Sequence, residues 1–383
     1  MELPGGVQVW SVNSHAVIRQ FLLDPRVTKS ARNHWSDFKE GRIPRDWELI
    51  SWIAMDNMVT AYGNDLRRLR KLIGSAFTPR RVEVMRPRIA EITNQLIEGL
   101  AAAGPDEVVD LRQRFCYPLP LQVVAELIGM DQAAIDKTVP VMMMMVDTTV
   151  TPEQAQAVLA GWRGAMTDFI NAKRVNPAED ITTDLIAARD DETGSKLSED
   201  ELIDTIFAIL GAGSETTINF FDNSITQLLT HPDQLELVRS GQAKWEDVIE
   251  ETLRVQAPLA NLPLRYAVED IELDGVTIPA GEAILVNFAG VGRDPELHPE
   301  NPDEFDVTRT DKTHLTFGLG PHYCLGAGIA RTVAAIGLST LFDRFPSLNL
   351  AAPLDELPKL PSFIMNGHLT LPVRLTQAAA AAA

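Results

Sequence analysis

Cysteine is scarce in this chain, with Cys116 and Cys324 the only two among 383 residues. A disulfide framework is therefore excluded, and a reducing, cytoplasmic setting is expected. Long apolar runs are missing too. The most apolar stretch, VPVMMMMV at 139–146, falls far short of the roughly 18 residues a membrane span needs. The opening MELPGGVQVW lacks the basic-then-apolar order of a secretory signal. Basic residues are outnumbered, 34 against 53 acidic, for a formal charge of −19. That balance speaks against nucleic acid, whose binding rests on neutralising phosphates. No internal repeat appears, and no Gly-, Ser- or Pro-rich linker divides the sequence. A single domain over residues 1–377 is expected, followed by an alanine tail, Ala378 to Ala383.

Against these absences, helical periodicity is plentiful, and the fold is expected to be mainly α with a minor β portion. Apolar residues recur at helical spacing from Arg67 to about Ala103, and again through LPLQVVAELIG and PEQAQAVLAGWRGAMTDFINAKR. Strand patterns gather near the ends. GGVQVWSV at 5–12 alternates like a strand, starting so abruptly that something usually placed before it is expected to be missing. Residues 261–290 read as short strands with Asp-Gly and Pro-Ala-Gly turns. The longest helix should begin at a capping box, Ser198 with Glu201, and stop at His231-Pro232. At about 32 residues it would run about 48 Å, enough to cross the domain. In its middle lies GAGSETT, residues 211–217. Each glycine there costs about 1 kcal/mol relative to alanine, so a bulge, a close approach or a ligand is one expectation, and packing through small residues the other.

The second cysteine has an unusual setting, FGLGPHYCLG at 317–326, with three glycines and a proline around it. Zinc would need three or four ligands at suitable spacing, and only His322 is near. A cysteine nucleophile would need a basic partner, and residues two apart in such a loop seldom pair productively. What remains is a single thiolate ligand to a cofactor that brings its other ligands, as haem does.

The segment fits F-x-x-G-x-x-x-C-x-G and resembles the cysteine loop of the cytochromes P450, the haem-thiolate monooxygenases. AGSETT resembles their long central helix, Glu251-x-x-Arg254 their second signature, and EFDVTR the region of their meander arginine. The order and approximate spacing agree, and the likeness extends from PGGVQVWSV to LPVRL. The chain resembles a soluble bacterial member, and the fold so implied is a single P450-type fold whose long central helix lies over the haem.

Several residue roles are implied by this resemblance. Cys324 is the axial ligand of haem b iron, and the helix beginning near LGAGIAR offers its positive end to the sulfur. Gly318 and Gly320 permit a hairpin whose amides point at the sulfur. Gly326 lets the helix approach the porphyrin, and Phe317 shields the thiolate. His322, Arg265 and Arg70 are implied cationic partners of the haem propionates, whereas Leu66 stands where a propionate-binding histidine is common. On the opposite side, Ala212, Gly213, Glu215 and Thr216 resemble the oxygen-activating groove, with Glu215 exchanging protons and Thr216 donating a hydrogen bond. Thr217 is assigned to structure. Glu251, Arg254 and Arg309 resemble a structural salt-bridge network. Cys116 reads as a small buried hydrophobe.

Met55, Met58, Ala208, Ile209 and Leu262 are pocket candidates, with some of Met142 to Met145 at an apolar entrance. They suggest an apolar substrate of polyketide or steroid type. Hydroxylation or epoxidation by a monomer is expected, with O2 and NAD(P)H-derived electrons delivered through a ferredoxin and its reductase. The basic run RRLRK at 67–71 is a candidate for steering that acidic partner. Two other functions fit the same motifs, a redox-neutral haem isomerase or cyclase and a non-enzymatic haem or small-molecule binding protein. Glu215 and Thr216 favour the oxygenase.

Overall fold

The computed structural model describes residues 1–53, 57–104, 107–138, 152–190 and 193–375. Met55, the stretch 139–150 containing Met142 to Met145, and the Ala378–Ala383 tail lie outside these described residues.

The central helix spans Glu199–Thr230. Its start is fixed by the capping box: Glu201 N–H donates to Ser198 Oγ at 3.2 Å, and Ser198 N–H to Glu201 Oε2 at 2.8 Å. Pro232 begins the next helix, Pro232–Arg239, and so closes this one. From Thr217 to Leu228 the helix is buried on every side, as expected of an axis enclosed by other helices. Two glycines permit the close packing. A Cβ at Gly337, on helix Ala327–Arg344, would lie 2.6 Å from the Phe221 ring, and one at Gly213 would lie 3.0 Å from Val124 on helix Pro118–Ile128.

The helix remains unbroken through GAGSETT, so the expected bulge is absent. Thr216 and Thr217 instead return their hydroxyls to the carbonyls of Ala212 and Gly213, at 2.7 and 2.9 Å. The small residues are explained here by the approach of Val124 to Gly213.

Residues 67–103, which read as one helical stretch, divide into Gly63–Gly74 and Pro79–Ala101. The break follows from Thr78, whose Oγ1 accepts the Arg81 N–H at 3.2 Å, and from Pro79 in the first turn. The stretch 5–12 likewise begins as a strand only at Val7, because Gly5 and Gly6 take φ of 75° and 77°, and it divides at Val9 into Val7–Gln8 and Trp10–Val12.

A four-stranded sheet runs in the order Trp10–Val12, Ala283–Asn287, Asn261–Ala267, Val27–Thr28. Its first pair is parallel and the other two antiparallel. Next to it, Ile271–Leu273 and Val276–Ile278 form a hairpin through Asp274-Gly275, both with positive φ, which suits the right-handed twist of the strands. The sheet positions Arg265 within strand Asn261–Ala267 and Lys29 just beyond strand Val27–Thr28.

Candidate functional site

The segment Phe317–Gly326 reverses direction with Gly318 and Gly320 at φ of 73° and 69°, a region disfavoured for side-chain-bearing residues. The turn is closed by Cys324 N–H donating to Phe317 O at 2.9 Å, and Gly318 N–H to Leu315 O at 2.7 Å. Helix Ala327–Arg344 starts immediately after Gly326. The amides that favour the charged form of the Cys324 sulfur are those of Gly326 and Ala327. The Gly318 amide, one of those expected to point at the sulfur, is bonded instead to Leu315 O. The turn glycines provide the reversal, while the free N–H groups of the helix start provide the donors.

Cys324 is exposed and lines a cavity of about 330 Å3, bounded below by its loop and above by the central helix. Burial pushes its thiol pKa up. The Gly326 amide, Arg70, Arg331 and the Ala327 amide act the other way. Ala212, Gly213 and Thr216 line the opposite wall, joined by Ala208 and Ile209 one turn earlier and by Met58 and Leu262 from the sides. Of the candidates for the pocket and its entrance, Met55 and Met142 to Met145 lie outside the described residues.

Glu215 is not a wall residue of this cavity. Its charged and titratable neighbours are Arg112 and Tyr117. Burial raises the carboxyl above the ordinary range, and Arg112 partly offsets this. Arg112 is itself held by Asp222 at 3.3 Å and Asn219 at 2.9 Å. Adjacent residues on a helix point about 100° apart, so Thr216 faces the cavity while Glu215 is turned off its wall.

At one edge of the cavity four basic side chains converge: Lys29, Arg70, Arg265 and His322. Lys29 and Arg265 are buried, at 6% and 3% exposure. Burial, then the neighbouring Arg265, drives the Lys29 pKa well down, and burial alone brings Arg265 to about 10. Burial, with Lys29, Arg265 and Arg70 adding to it, takes His322 to about 2. Burial first, and the neighbouring basic groups second, thus disfavour the charged form of His322, one of the implied cationic partners. Arg70 Nη2 donates to Tyr323 O at 2.6 Å. Arg265 Nη1 is buried with no hydrogen-bond partner.

Sequence reading missed Lys29. Its signal was weak, a lone lysine after VT whose importance depends on the strand pairing that seats it beside Arg265. Leu66 is a buried core residue, 5% exposed, and does not line the cavity.

Behind the loop, Glu251 and Arg254 are fully buried and doubly bonded, at 2.8 and 2.7 Å. Arg254 also donates to the carbonyls of Gly292, Pro302 and Glu304, each at 2.6 Å. Arg309 Nε reaches Glu251 Oε1 at 3.4 Å. The wider basic run is mostly engaged: Arg68 pairs with Asp65 and Glu201, and Lys71 with Asp190 at 2.8 Å. Cys116 is fully buried in the π-helical turn Arg112–Cys116, where burial pushes its thiol far up.

Comparison with known proteins settles the family. The family model described as Cytochrome P450 matches residues 245–369. The 2-hydroxy-5-methyl-1-naphthoate 7-hydroxylase of Streptomyces carzinostaticus is 46% identical over 383 residues, covering 100% of this chain and 93% of its own. The chain belongs to the cytochrome P450 family. The vitamin D(3) 25-hydroxylase of Pseudonocardia autotrophica is 34% identical, covering 98% of this P450 and 90% of its own length. Among solved structures, CYP154A1 of Streptomyces coelicolor A3(2) is 47% identical with a TM-score of 0.87, covering 97% of this chain and 92% of that one. The testerone-bound CYP154C4 of Streptomyces sp. ATCC 11861 is 40% identical with a TM-score of 0.92, covering 98% and 92%. The fold is the P450 fold, and the protein is a haem monooxygenase of the bacterial type.

The residues present fit haem. Buried cations with an unpartnered guanidinium N–H require an anion nearby, and no carboxylate pairs with Lys29 or Arg265 among the described residues. The two propionates of haem are anions of the right kind. The exposed thiol that lines the cavity, its charged form favoured by the Gly326 and Ala327 amides at the helix start, suits an iron ligand.

Among the described residues no helix is long and apolar enough to cross a membrane, and no cluster of three or more His, Cys, Asp or Glu could hold a metal ion.

Proposed function

We propose that Cys324 Sγ binds the haem iron and that this P450 hydroxylates or epoxidises an apolar molecule of polyketide or steroid type. The observation that carries this reading is the facing pair of walls. An accessible thiol lies on one side, Ala212 to Thr216 on the other, and an uncompensated cation cluster at the edge. Lys29, Arg265 and Arg70 hold the propionates as cations, and His322 contributes a neutral ring nitrogen. Bound haem supplies the reductive use of O2: with two electrons and two protons, one oxygen atom enters the substrate and the other leaves as water.

This chain's residues order that chemistry. Thr216 holds a hydroxyl at the cavity wall, bonded to Ala212 O until a better acceptor is presented. Glu215, with its raised pKa, retains a proton at higher pH than an exposed carboxyl and passes it inward from the Tyr117 side. Met58, Val123, Leu127, Ile209 and Leu262 exclude water and orient substrate by shape rather than by charge. The substrate class is supported by this apolar lining and by relatives named as a naphthoate hydroxylase, a 6-deoxyerythronolide B hydroxylase and a vitamin D(3) hydroxylase. Electrons from NAD(P)H arrive through a separate ferredoxin and its reductase. With Lys71 paired to Asp190, exposed Arg67 is the member of the basic run best placed to steer that partner.

The test is the reduced carbon-monoxide difference spectrum of wild type and Cys324→Ser, followed by 18O2 labelling of products from a panel of polycyclic and macrocyclic apolar compounds. A thiolate-type band lost in the variant, and one labelled oxygen in product, are expected. A band unaltered by the substitution overturns the ligand assignment. Product formed without oxygen or reductant overturns the oxygenase reading.

A further inference from the structure

A second cluster stands beside the cysteine loop, on helix Trp245–Val255 one residue before Glu251. Glu250 accepts two hydrogen bonds from Arg331, Nε to Oε1 at 2.6 Å and Nη2 to Oε2 at 3.0 Å. Its Oε2 also meets His314 Nε2 at 3.1 Å. His314 Nδ1 accepts the Thr316 N–H at 3.1 Å. That nitrogen carries the lone pair, so Nε2 bears the hydrogen that Glu250 accepts. Thr316 is anchored in turn, its hydroxyl donating to Leu253 O at 2.8 Å. Burial opposes the Glu250 charge, but the bonds from Arg331 and His314 outweigh it and hold the carboxyl at about 2. The fork is therefore ionised at any working pH.

The guanidinium so fixed lies over the Phe317 ring, its carbon 4.4 Å from the centroid. Phe317 is bonded through its carbonyl to the Cys324 amide, and Arg331 acts electrostatically on Cys324. An ordinary surface ion pair wanders and contributes little. This one is bidentate, braced by a histidine of fixed tautomer and stacked on a ring that lines the same cavity as the cysteine. Its positive charge has one place to be.

We propose that Arg331, held by the positioning residues Glu250 and His314, is a fixed charge that, together with Arg70, tunes the electrostatic environment of Cys324 Sγ, and with it the reduction potential of the iron that sulfur binds. The inference rests on the reading of Cys324 given above. A cation near the thiolate favours the reduced, more negative state of the centre and restrains the sulfur's electron donation. Its removal makes reduction harder.

The experiment is spectroelectrochemical titration of the holoenzyme in wild type, R331Q, R331K, E250Q and E250Q/R331Q. R331Q is expected to shift the midpoint to more negative potential and to hasten conversion of the ferrous carbon-monoxide complex from its thiolate to its thiol form. R331K, which keeps the charge, is expected to stay near wild type. R331Q is expected to cause a smaller shift in the E250Q background, where the guanidinium is no longer clamped. An unchanged midpoint in R331Q, or R331K falling as far as R331Q, overturns the electrostatic role. A shift equal or larger in the E250Q background overturns the positioning role of Glu250. Should R331Q fail to retain haem, E250Q alone decides, since an unaltered midpoint there contradicts the clamp. The wild-type carbon-monoxide spectrum separates the two proposals: without a thiolate band the Cys324 reading fails, and with one present only the Arg331 inference is at stake.

Discussion

Lys29 and Arg265 sit side by side where two antiparallel strands part. Thr28 is paired with Tyr266, so the next residue on one strand and the preceding one on the other bring two buried cations together. Like charges in that relation are destabilising, and burial compounds the cost. The pair makes sense only beside an anion. Replacing Lys29 with methionine should therefore have opposite effects on two measurements. Apoprotein stability should rise by about 1–3 kcal/mol as a buried amine without a partner carboxylate is removed, read by urea unfolding. Haem transfer to apomyoglobin should quicken by about tenfold, the loss of one charge-assisted bond. A variant that loses both stability and haem would show that Lys29 is a packing residue instead.

Gly326 offers a sharper steric test. A Cβ there would meet Ile329 at 3.7 Å and Cys324 Sγ at 3.8 Å, ordinary contacts within the protein. The chain itself does not demand glycine at this position. If the demand comes from a porphyrin lying against the helix start, Gly326→Ala should leave apoprotein melting unchanged within about 0.5 kcal/mol yet lower haem occupancy. Full haem occupancy in the variant would remove Gly326 from the cofactor site.

Thr216 and Glu215 should separate by their consequences. Thr216→Ala removes the wall hydroxyl but leaves the apolar lining, so NAD(P)H consumption should continue while product per NAD(P)H falls by about tenfold or more. Glu215→Gln should lower the rate of product formation itself. The Glu215 pKa is raised by burial, so its protonated form persists above the usual 4.5 and is lost as pH rises through the raised value. Wild-type product formation should accordingly decline along that limb, and the glutamine variant should lack it. An identical pH profile in the two enzymes would remove Glu215 from proton delivery.

How much of this was legible beforehand depended on whether the signal was local. The central helix was readable to the residue, because its capping box and terminal proline are short-range devices. The cysteine loop was readable because its glycines are spaced by the turn they form. The break at Ser75–Thr78 was not, since apolar periodicity continues through it and only the Thr78 cap and Pro79 mark the stop. The bulge expected in GAGSETT failed for a related reason: small residues serve a packed neighbour as readily as a distortion, and Val124 is visible only in three dimensions. Lys29, Glu250 and Arg331 escaped because each is an ordinary charged residue along the chain. Their roles depend on distant partners: His314 lies 64 positions from Glu250, Glu250 81 from Arg331, and Arg265 236 from Lys29.

The Glu251–Arg254 pair illustrates why position outranks pattern. At three residues' separation on an exposed helix it would be worth well under 1 kcal/mol. Here both side chains are fully buried, and Arg254 also holds three carbonyls of the segment 292–304. Gly292 is part of the same fit, since a Cβ there would fall 1.9 Å from Arg254 O. Removing one member leaves the other charge buried without its partner, a loss of about 3–5 kcal/mol. Arg254→Met should therefore express with little haem and unfold at markedly lower urea. Arg254→Lys should rescue only partly, because an ammonium cannot reproduce the fork while reaching three carbonyls. If Arg254→Met instead unfolds within 1 kcal/mol of wild type, the network is not what holds the segment behind the cysteine loop.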